Sequence, residues 1–303
     1  MKFSDADNLA YLRAQSSIIE KEAVELDYNS QYSELIPVST QGNPFAAAVV
    51  FASSTKVGRA GWINGNADDL PRADLDMKES VKPVHTAAIG YGYGFEELGI
   101  AQAMGINLAA DKAIAARRAY EEFVDVIAFN GDTTKTIKGL TNLGSGSYKA
   151  KTDATSANWS DADKLMAMLT AKLLETGSGN KPTADTILLP TAMYSLLATK
   201  FLANGVSYLD QMQNASVITG ITGKAITIRA VSGLDTAASG NKARVILYKR
   251  DPSVVQLYIP MPHRFLPVYQ DGPLRYEVPG VFRIAGVNVK RPDDVMYLDY
   301  TGS

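Results

Sequence analysis

The sequence has 303 residues, of which 46% are hydrophobic and 20% charged, and its 30 lysine and arginine residues nearly balance 32 aspartate and glutamate residues. This composition is typical of a globular protein, and the formal net charge of -2 excludes a chain attracted to nucleic acid or anionic membranes by its overall charge. The absence of cysteine excludes disulfide bonds, thiolate nucleophiles and cysteine-ligated metals.

The sequence offers no candidate membrane segment. Its first residues, MKFSDADNLAYLRAQ, lack the apolar stretch of a signal peptide. The longest apolar run, FAAAVVFA from Phe45, is much shorter than the roughly 20 residues that a membrane-spanning helix needs. We therefore expect a soluble protein without a membrane partner.

The first predicted element is an amphipathic helix that forms an N-terminal arm. Ser4 followed by Asp7 is typical of a helix start. Apolar residues then recur at helical spacing, which favours one buried stripe. They are Leu9, Leu12, Ile19, Ala23 and Leu26.

Between Phe45 and Phe95 the sequence is rich in β-branched residues and is interrupted by glycines. Its polar middle, GWINGNADDLPRADLDMKES, contains Pro71 and has no helical period. The pattern predicts two extended strands joined by a long tip. Such a ribbon cannot bury a core by itself, so we expect it to contact a neighbouring molecule.

The segment IGYGYGFEELG, which runs from Ile89 to Gly99, has three alternating glycines. It does not match a dinucleotide-binding fingerprint, because the required third glycine is missing. As a strand, it places glycines on one face and bulky residues, for which we expect core packing, on the other. The bulky residues are Ile89, Tyr91, Tyr93 and Phe95. The bare glycine face would allow another backbone to approach closely.

A long helix is predicted from about Asn107 to Asn130, with a length of roughly 35 Å. Gly131 ends it, because glycine is preferred in the left-handed position that follows a helix. Arg117 and Arg118 precede Glu121 and Glu122 by about one turn, which indicates a solvated or inter-subunit charged face. The predicted buried stripe consists of Leu108, Ala115, Ala119, Phe123 and Ile127.

The segment after this helix, residues 139–160, is loop-like in composition and predicts a domain boundary. Ser160 with Asp163 then predicts the start of a helix that carries leucines at helical spacing. The stretch TILLPTAMYSLLATKF predicts a buried strand from Thr186 to Leu189 and a helix that starts at Pro190. This alternation of strand and helix predicts a mixed α/β unit. The remaining strand-like segments are KAITIRAV, RVILYKR, VVQLYIP, LRYEVPG and VFRIAGVNVKRP.

No set of residues in the sequence predicts catalysis or a cofactor. The two histidines, His85 and His263, lie in proline-containing, strand-like segments without a ligand partner nearby, so we expect structural roles. Asp74 and Asp76 would share one face of a strand, but a metal or glycosidase site needs a second carboxylate pair nearby. An α/β hydrolase or a metal-dependent enzyme remains an alternative, and it requires both histidines and these aspartates to converge.

The order of the predicted elements resembles the major capsid proteins of tailed double-stranded DNA bacteriophages. The resemblance is carried by the extension with ADDLPRADLDMKE, the strand running into FEELGIAQ, the helix closed by IAFNGDTTKTIKGLTN, and the terminal GVNVKRPDDVMYLDY. It covers residues 29–300. The resemblance implies an α+β protein with the Hong Kong 97-like capsid fold, which the encapsulin shells of bacteria share.

By this resemblance the chain divides into five parts. Residues 1–41 form an N-terminal arm, residues 42–86 an extended loop, and residues 87–150 a peripheral domain with a long spine helix. Residues 151–264 form an axial domain, and residues 265–303 return as strands to the peripheral domain.

The resemblance also implies a structural protein that is not an enzyme and has no cofactor or metal. Copies would assemble as hexamers and pentamers of an icosahedral head around double-stranded DNA, in the virion, after assembly in the host cytoplasm. Portal, decoration or scaffolding proteins would be partners, and contact with DNA would be weak and non-specific. An encapsulin-type compartment that encloses an enzyme cargo remains an alternative.

The expected contacts between subunits involve the loop tip and the spine helix. The candidate residues are Trp62, Asp68, Asp69, Arg72, Asp74, Asp76, Arg117 and Arg118.

Overall fold

The computed structural model describes residues 30–62, 72–97, 108–143, 151–155, 159, 161–176, 184–214, 223 and 225–300. The predicted N-terminal arm helix lies outside these residues. Within them, no helix has the length and apolar character needed to cross a membrane.

Five α-helices are described, and the second is the predicted long helix. They are α1 (Tyr32–Leu35), α2 (Leu108–Phe129), α3 (Ala162–Leu174), α4 (Thr191–Thr199) and α5 (Tyr208–Asn214). Two short 3-10 helices span Ser232–Thr236 and Pro292–Asp294.

Among the described residues, the strands form six sheets rather than one continuous layer. Those in the first half of the chain are β1 (Val38–Ser39), β2 (Ala48–Val57), β3 (Asp74–Pro83), β4 (His85–Ala88), β5 (Tyr91–Gly94), β6 (Gly131–Asp132), β7 (Ile137–Lys138) and β8 (Lys151–Thr155). Those in the second half are β9 (Thr186–Leu189), β10 (Thr227–Ala230), β11 (Arg244–Tyr248), β12 (Val255–Tyr258), β13 (Met261–Phe265), β14 (Tyr269–Gln270), β15 (Arg275–Val278), β16 (Gly280–Ile284), β17 (Gly286–Val289) and β18 (Val295–Tyr300).

The largest sheet is mixed, with the strand order β10-β9-β11-β18-β8. All four residues of β9 are buried, because the sheet is covered on both faces. Leu188 and Ile246 face a core cluster that includes the long helix, whereas Ile187 and Val245 face a second cluster around α3, α4 and α5. One sheet thus joins the two cores.

A nearly buried ion pair also holds this sheet together. Arg244 donates from Nε and Nη2 to the carboxylate of Asp299 at 2.6 and 2.7 Å, which links β11 to β18. Nη1 of Arg244 donates to the carbonyl of Thr141, in the segment that follows the long helix. The guanidinium also lies 4.5 Å from the ring centre of Tyr297. Because the Asp299 carboxylate, the Thr141 carbonyl and the Tyr297 ring all contact one arginine, the sheet and the segment after α2 are fixed relative to each other.

Helix α2 confirms the predicted long helix. It ends at Phe129, and Gly131 follows in the predicted left-handed conformation, with φ of 70°. The predicted buried stripe is wrong by one residue: Ala115 and Phe123 are exposed, whereas Ala116 and Tyr120 are buried. Ala119 is half-buried and Ile127 is buried, while the side chain of Leu108 is not described. The observed stripe consists of Ala116, Tyr120, Val124, Ile127 and Ala128.

The strand predicted from the alternating glycines is observed as β5, which pairs with β15. A Cβ atom at Gly90 would collide with the carbonyl of Val278, and one at Gly280 would collide with Ile89 and His263. The close backbone approach predicted for the glycine face is therefore present at Gly90. The core packing predicted for Phe95 is wrong, because 63% of its side chain is exposed.

Two further predictions from the sequence need correction. The segment 139–160 is not all loop, because β8 pairs in parallel with β18 at the edge of the mixed sheet. The side chain at the start of α3 that accepts a backbone hydrogen bond is Asp161, which accepts from the amide of Asp163, while Ser160 lies outside the described residues. The predicted leucine stripe of α3 is confirmed, since Leu165, Leu169 and Leu173 are fully buried.

The predicted strand Thr186–Leu189 and the helix after Pro190 are confirmed. The five-part division of the chain stays a prediction, but strand pairing crosses its last boundary. Strand β18 lies within residues 265–303, which are predicted to return to the peripheral domain, yet it pairs with β11 of the mixed sheet.

Candidate inter-subunit contact surface

Strands β2 and β3 form a two-stranded antiparallel ribbon. Pairing is continuous from Ala48 opposite Pro83 to Val57 opposite Asp74. At about 3.3 Å per residue, ten paired residues extend for about 30 Å. The sequence favours this structure because it is rich in β-branched residues and has no helical period. The two strands predicted between Phe45 and Phe95 are confirmed as a ribbon. We call its Ala48–Pro83 end the root and its Val57–Asp74 end the outer end.

One face of the ribbon is apolar and exposed. Side chains alternate between faces along a strand, so Val50 and Val81, which are directly opposite each other, lie on the same face as Met77. Val50 is 57% exposed, and Met77 and Val81 are each 62% exposed. Glu79 lies between the last two and is also exposed. A row of exposed apolar side chains is a common feature of protein contact surfaces.

The opposite face is packed at the root. The ring of Phe51 meets the ring of Tyr258 edge to face, with centroids 6.0 Å apart. The hydroxyl of Tyr258 donates to the carbonyl of Gln41, in the segment that precedes the ribbon. Burial and the nearby Lys138 cation lower the pKa of Lys82 on this face. These contacts attach the ribbon to the body of the protein at its root.

The candidate residues at the outer end are exposed where the structure describes them. Trp62 is fully exposed, and Arg72 and Asp74 are also exposed. Asp76 lies opposite Thr55 in the ribbon, and Asp68 and Asp69 lie outside the described residues. The structure therefore places Trp62, Arg72, Asp74 and Asp76 at one end of one element, as the sequence predicted.

The two candidate arginines of the long helix α2 have different surroundings. Arg117 donates to Glu121 at 3.2 Å, and its guanidinium lies 5.3 Å from the ring centre of Tyr120. Glu121 also accepts a 2.7 Å hydrogen bond from Tyr32, and burial, helped by this hydrogen bond, raises the pKa of that tyrosine. Arg118 is half-buried. Arg117 thus has partners within its own chain, which makes it a weaker candidate for a contact between subunits.

The residues that an enzyme would require do not converge. His263 is buried, with Nε2 3.1 Å from the carbonyl oxygen of Ile89 and its ring stacked on Tyr120 at 5.2 Å. His85 begins β4, next to the root of the ribbon, whereas Asp74 and Asp76 lie at the outer end, about 30 Å away. Within the described part of the chain, no group of three acidic, histidine or cysteine side chains could hold a metal ion.

Sequence reasoning missed the exposed apolar face of the ribbon. The sequence does contain an indication of this face, because apolar and polar residues alternate in parts of AVVFASSTKV and DLDMKESVKP. The alternation identifies a shared apolar face only when the register of the two strands is known.

Comparisons with known proteins agree with this architecture. The family model described as "Major capsid protein" matches residues 58–301. No curated protein matches the chain. Among solved structures, the capsid of Myoviridae phage XM1 is similar with a TM-score of 0.72 and 18% identity, over 95% of this chain and 97% of that one.

Two further solved structures are similar over their whole length. The capsid of the native GTA particle has a TM-score of 0.69 and 12% identity, with 100% of both chains covered. The structure of Mycobacterium phage Bobi has a TM-score of 0.59 and 11% identity, also with 100% of both chains covered. At these identities the likeness establishes the fold, and the expected α+β capsid fold is confirmed.

The match to the family extends from the ribbon to the last strand of the mixed sheet. The encapsulin alternative is not better supported by any of these matches. From the family match and the shared fold together, we conclude that this chain belongs to the major capsid protein family of tailed bacteriophages and has a structural role in the capsid.

Proposed function

We propose that copies of this chain associate into hexamers and pentamers that close into an icosahedral head around double-stranded DNA. The contact between copies is made in large part by the β2–β3 ribbon, which lies along a neighbouring subunit. The outer-end residues, including those at positions 68 and 69, contribute polar contacts, and the apolar face contributes buried area.

The observation that carries this proposal is the exposed apolar face of the ribbon. A two-stranded ribbon without further cover is marginally stable in water. This one has Val50, Met77 and Val81 exposed on one face, and covering them with a second molecule would remove apolar surface from water. Burial of apolar surface is the main favourable contribution to association.

The ribbon also favours a closed ring. It extends about 30 Å from its root, so a contact made by its outer end joins different surfaces of two copies. Such head-to-tail contacts generate rings when the rotation between copies closes. Rings of five and six are the units from which an icosahedral shell is built.

The packaged DNA and the other partners follow from the charge and the family. The formal net charge of -2 gives no strong overall attraction to phosphate, so we expect weak, non-specific contact with the DNA. A portal protein, and decoration or scaffolding proteins, would complete the particle. Assembly takes place in the cytoplasm of the host, and the finished protein resides in the virion. No catalytic activity is needed for this role.

Electron microscopy of the purified protein, over a range of protein concentrations and salt, tests the proposal. We expect closed shells or isolated rings of five and six. A protein that stays monomeric at every concentration, together with a saturable turnover of any substrate, would contradict it. The contents of particles from the natural source distinguish a phage head, which holds nucleic acid, from a compartment that holds a cargo protein.

A further inference from the structure

The outer face of the long helix α2 carries a stripe of apolar side chains that remains largely exposed in the subunit. Ala115, Ala119, Phe123 and Val126 recur at three- and four-residue spacing, and we call them the outer stripe. Phe123 is 42% and Val126 49% exposed, Ala115 is exposed and Ala119 is half-buried. Apolar side chains at this spacing form the surface on which one helix packs against another.

One edge of the outer stripe is charged. Arg118 and Glu122 lie about one turn apart and border the stripe on the same side, whereas Phe123 lies toward the other side. Neither Arg118 nor Glu122 forms an ion pair with another described residue. In contrast, Arg117 and Glu121, each one position earlier, pair with each other at 3.2 Å. Both charges beside the stripe are therefore available to a second molecule.

The outer stripe is complementary to itself in an antiparallel arrangement. When the two-fold axis between two copies passes near residues 120 and 121, Val126 of one copy lies opposite Ala115 of the other. Phe123 then lies over Ala119 of the other copy, so that large side chains meet small ones. In a parallel arrangement each charged edge would instead meet the edge that carries Phe123.

The charges agree with the antiparallel arrangement. Rotation about this axis brings the charged edges of the two helices together, with Arg118 of each copy beside Glu122 of the other. The contact thus contains two equivalent pairs of opposite charge. Shape and charge select the same relative orientation and the same register.

We infer that the outer stripe is a two-fold contact between the α2 helices of two copies of this chain that belong to different rings. The inference rests on the proposed function, in which head-to-tail contacts form the rings. A two-fold contact is complete with two copies and cannot continue around a ring of five. It therefore joins one ring to the next.

The size of the contact agrees with this role. The outer stripe extends for about 16 Å along the helix, and two such stripes bury much less than the roughly 1,200 Å² of a stable protein interface. Isolated subunits should therefore not form dimers through it. Neighbouring rings are held by several contacts of the shell at once, and such linked contacts strengthen one another.

Charge reversal in the full-length protein tests the pairing. We expect Arg118→Glu and Glu122→Arg each to raise the protein concentration needed for shells by at least about tenfold, because two attractions become two repulsions. Rings of five and six should still form. The double variant with both substitutions restores opposite charges and should restore shells. Lys164→Glu is the control, since Lys164 forms only an exposed pair with Asp161 on α3, and it should leave the threshold unchanged.

Disulfide trapping gives a second readout, because the chain contains no cysteine. In shells of the variant with both Ala115→Cys and Val126→Cys, an added oxidant should join copies into dimers on a non-reducing denaturing gel. The two positions are about 16 Å apart within one helix, which is too far for a bond inside one chain. A head-to-tail contact would give a ladder of longer products. Each single cysteine variant is a control and should stay monomeric.

Sedimentation and electron microscopy distinguish rings from shells, and circular dichroism of the unassembled protein reports folding. If reversal disturbs folding, Arg118→Gln and Glu122→Gln test the same pairs, with an expected increase of about threefold.

The inference is overturned by single variants that form shells at the wild-type concentration, by a double variant no better than either single one, or by loss of rings together with shells. Cysteines that stay unlinked in shells also overturn it, which is the result expected if residues 1–29 of the same chain cover the stripe. A wild-type protein that forms neither rings nor shells contradicts the proposed function instead.

Discussion

Removing the apolar character of the ribbon face should block assembly without unfolding the subunit. The triple variant Val50→Thr, Met77→Gln and Val81→Thr keeps the size of each side chain similar and retains the strand propensity at the two valine positions. The three side chains are 57%, 62% and 62% exposed in the subunit, so they contribute little to its folding.

The expected magnitude follows from the area still available for burial. Full burial of a valine or methionine side chain contributes about 1.5 to 3 kcal/mol, and more than half of each side chain remains to be covered. About 1 kcal/mol for each residue gives about 3 kcal/mol for each contact, which corresponds to more than a hundredfold increase in the concentration needed for assembly.

Light scattering over a dilution series measures this threshold, and thermal denaturation followed by circular dichroism measures folding. Glu79→Gln is the control, because Glu79 lies on the same face between Met77 and Val81 and its replacement removes no apolar area. A triple variant that assembles at the wild-type threshold would refute the idea that a neighbouring subunit covers this face.

Three more outcomes are expected. Deletion of residues 64–74, with the strands joined by a short turn, should leave the circular dichroism of the subunit near that of the wild type while abolishing sedimenting shells; intact shells, or an unfolded subunit, would contradict this. Gly280→Ala should lower the melting temperature sharply, because its Cβ atom would collide with backbone and an imidazole, whereas Gly233→Ala, with no atom nearer than 3.6 Å, should have little effect. Asp299→Asn should reduce the free energy of unfolding by about 2 to 3 kcal/mol, because it breaks a nearly buried pair, while Arg229→Gln, in an exposed pair, should cost less than about 1 kcal/mol in chemical denaturation.

The elements with a strong local pattern could be predicted from the sequence. The long helix that precedes Gly131 and the strand that precedes Pro190 each combine a hydrophobic pattern with a residue suited to its terminus. The ribbon was predictable for a related reason, since its alternating residues have no helical period and its polar middle cannot form a core.

The errors arose where local pattern carries little information. In the long helix, Ala115 and Ala116 are equally compatible with a buried position, and only the packing of Tyr120 against His263 and Phe282 decides which face is covered. Strand β8, with the polar sequence KTDAT, forms because β18 offers a free edge, a partner that is distant in sequence.

The same distinction between local pattern and contacts of distant segments applies to the candidate contact surface. The outer end of the ribbon could be predicted because its residues are close together in the sequence. The apolar face could not, since Val50 lies in β2 whereas Met77 and Val81 lie in β3, and these residues become neighbours only when the strands pair.

The position of β18 has a consequence for quality control during synthesis. This strand is the last described element of the chain, yet it lies between β11 and β8 in the interior of the mixed sheet, and Val295 and Leu298 in it are fully buried. The ribbon, by contrast, is translated early. A chain that stops before Val295 would carry the ribbon but lack the strand that joins β8 to the rest of the sheet. Prematurely terminated chains should therefore be removed as misfolded protein before they can enter a growing shell and leave a defective subunit in it.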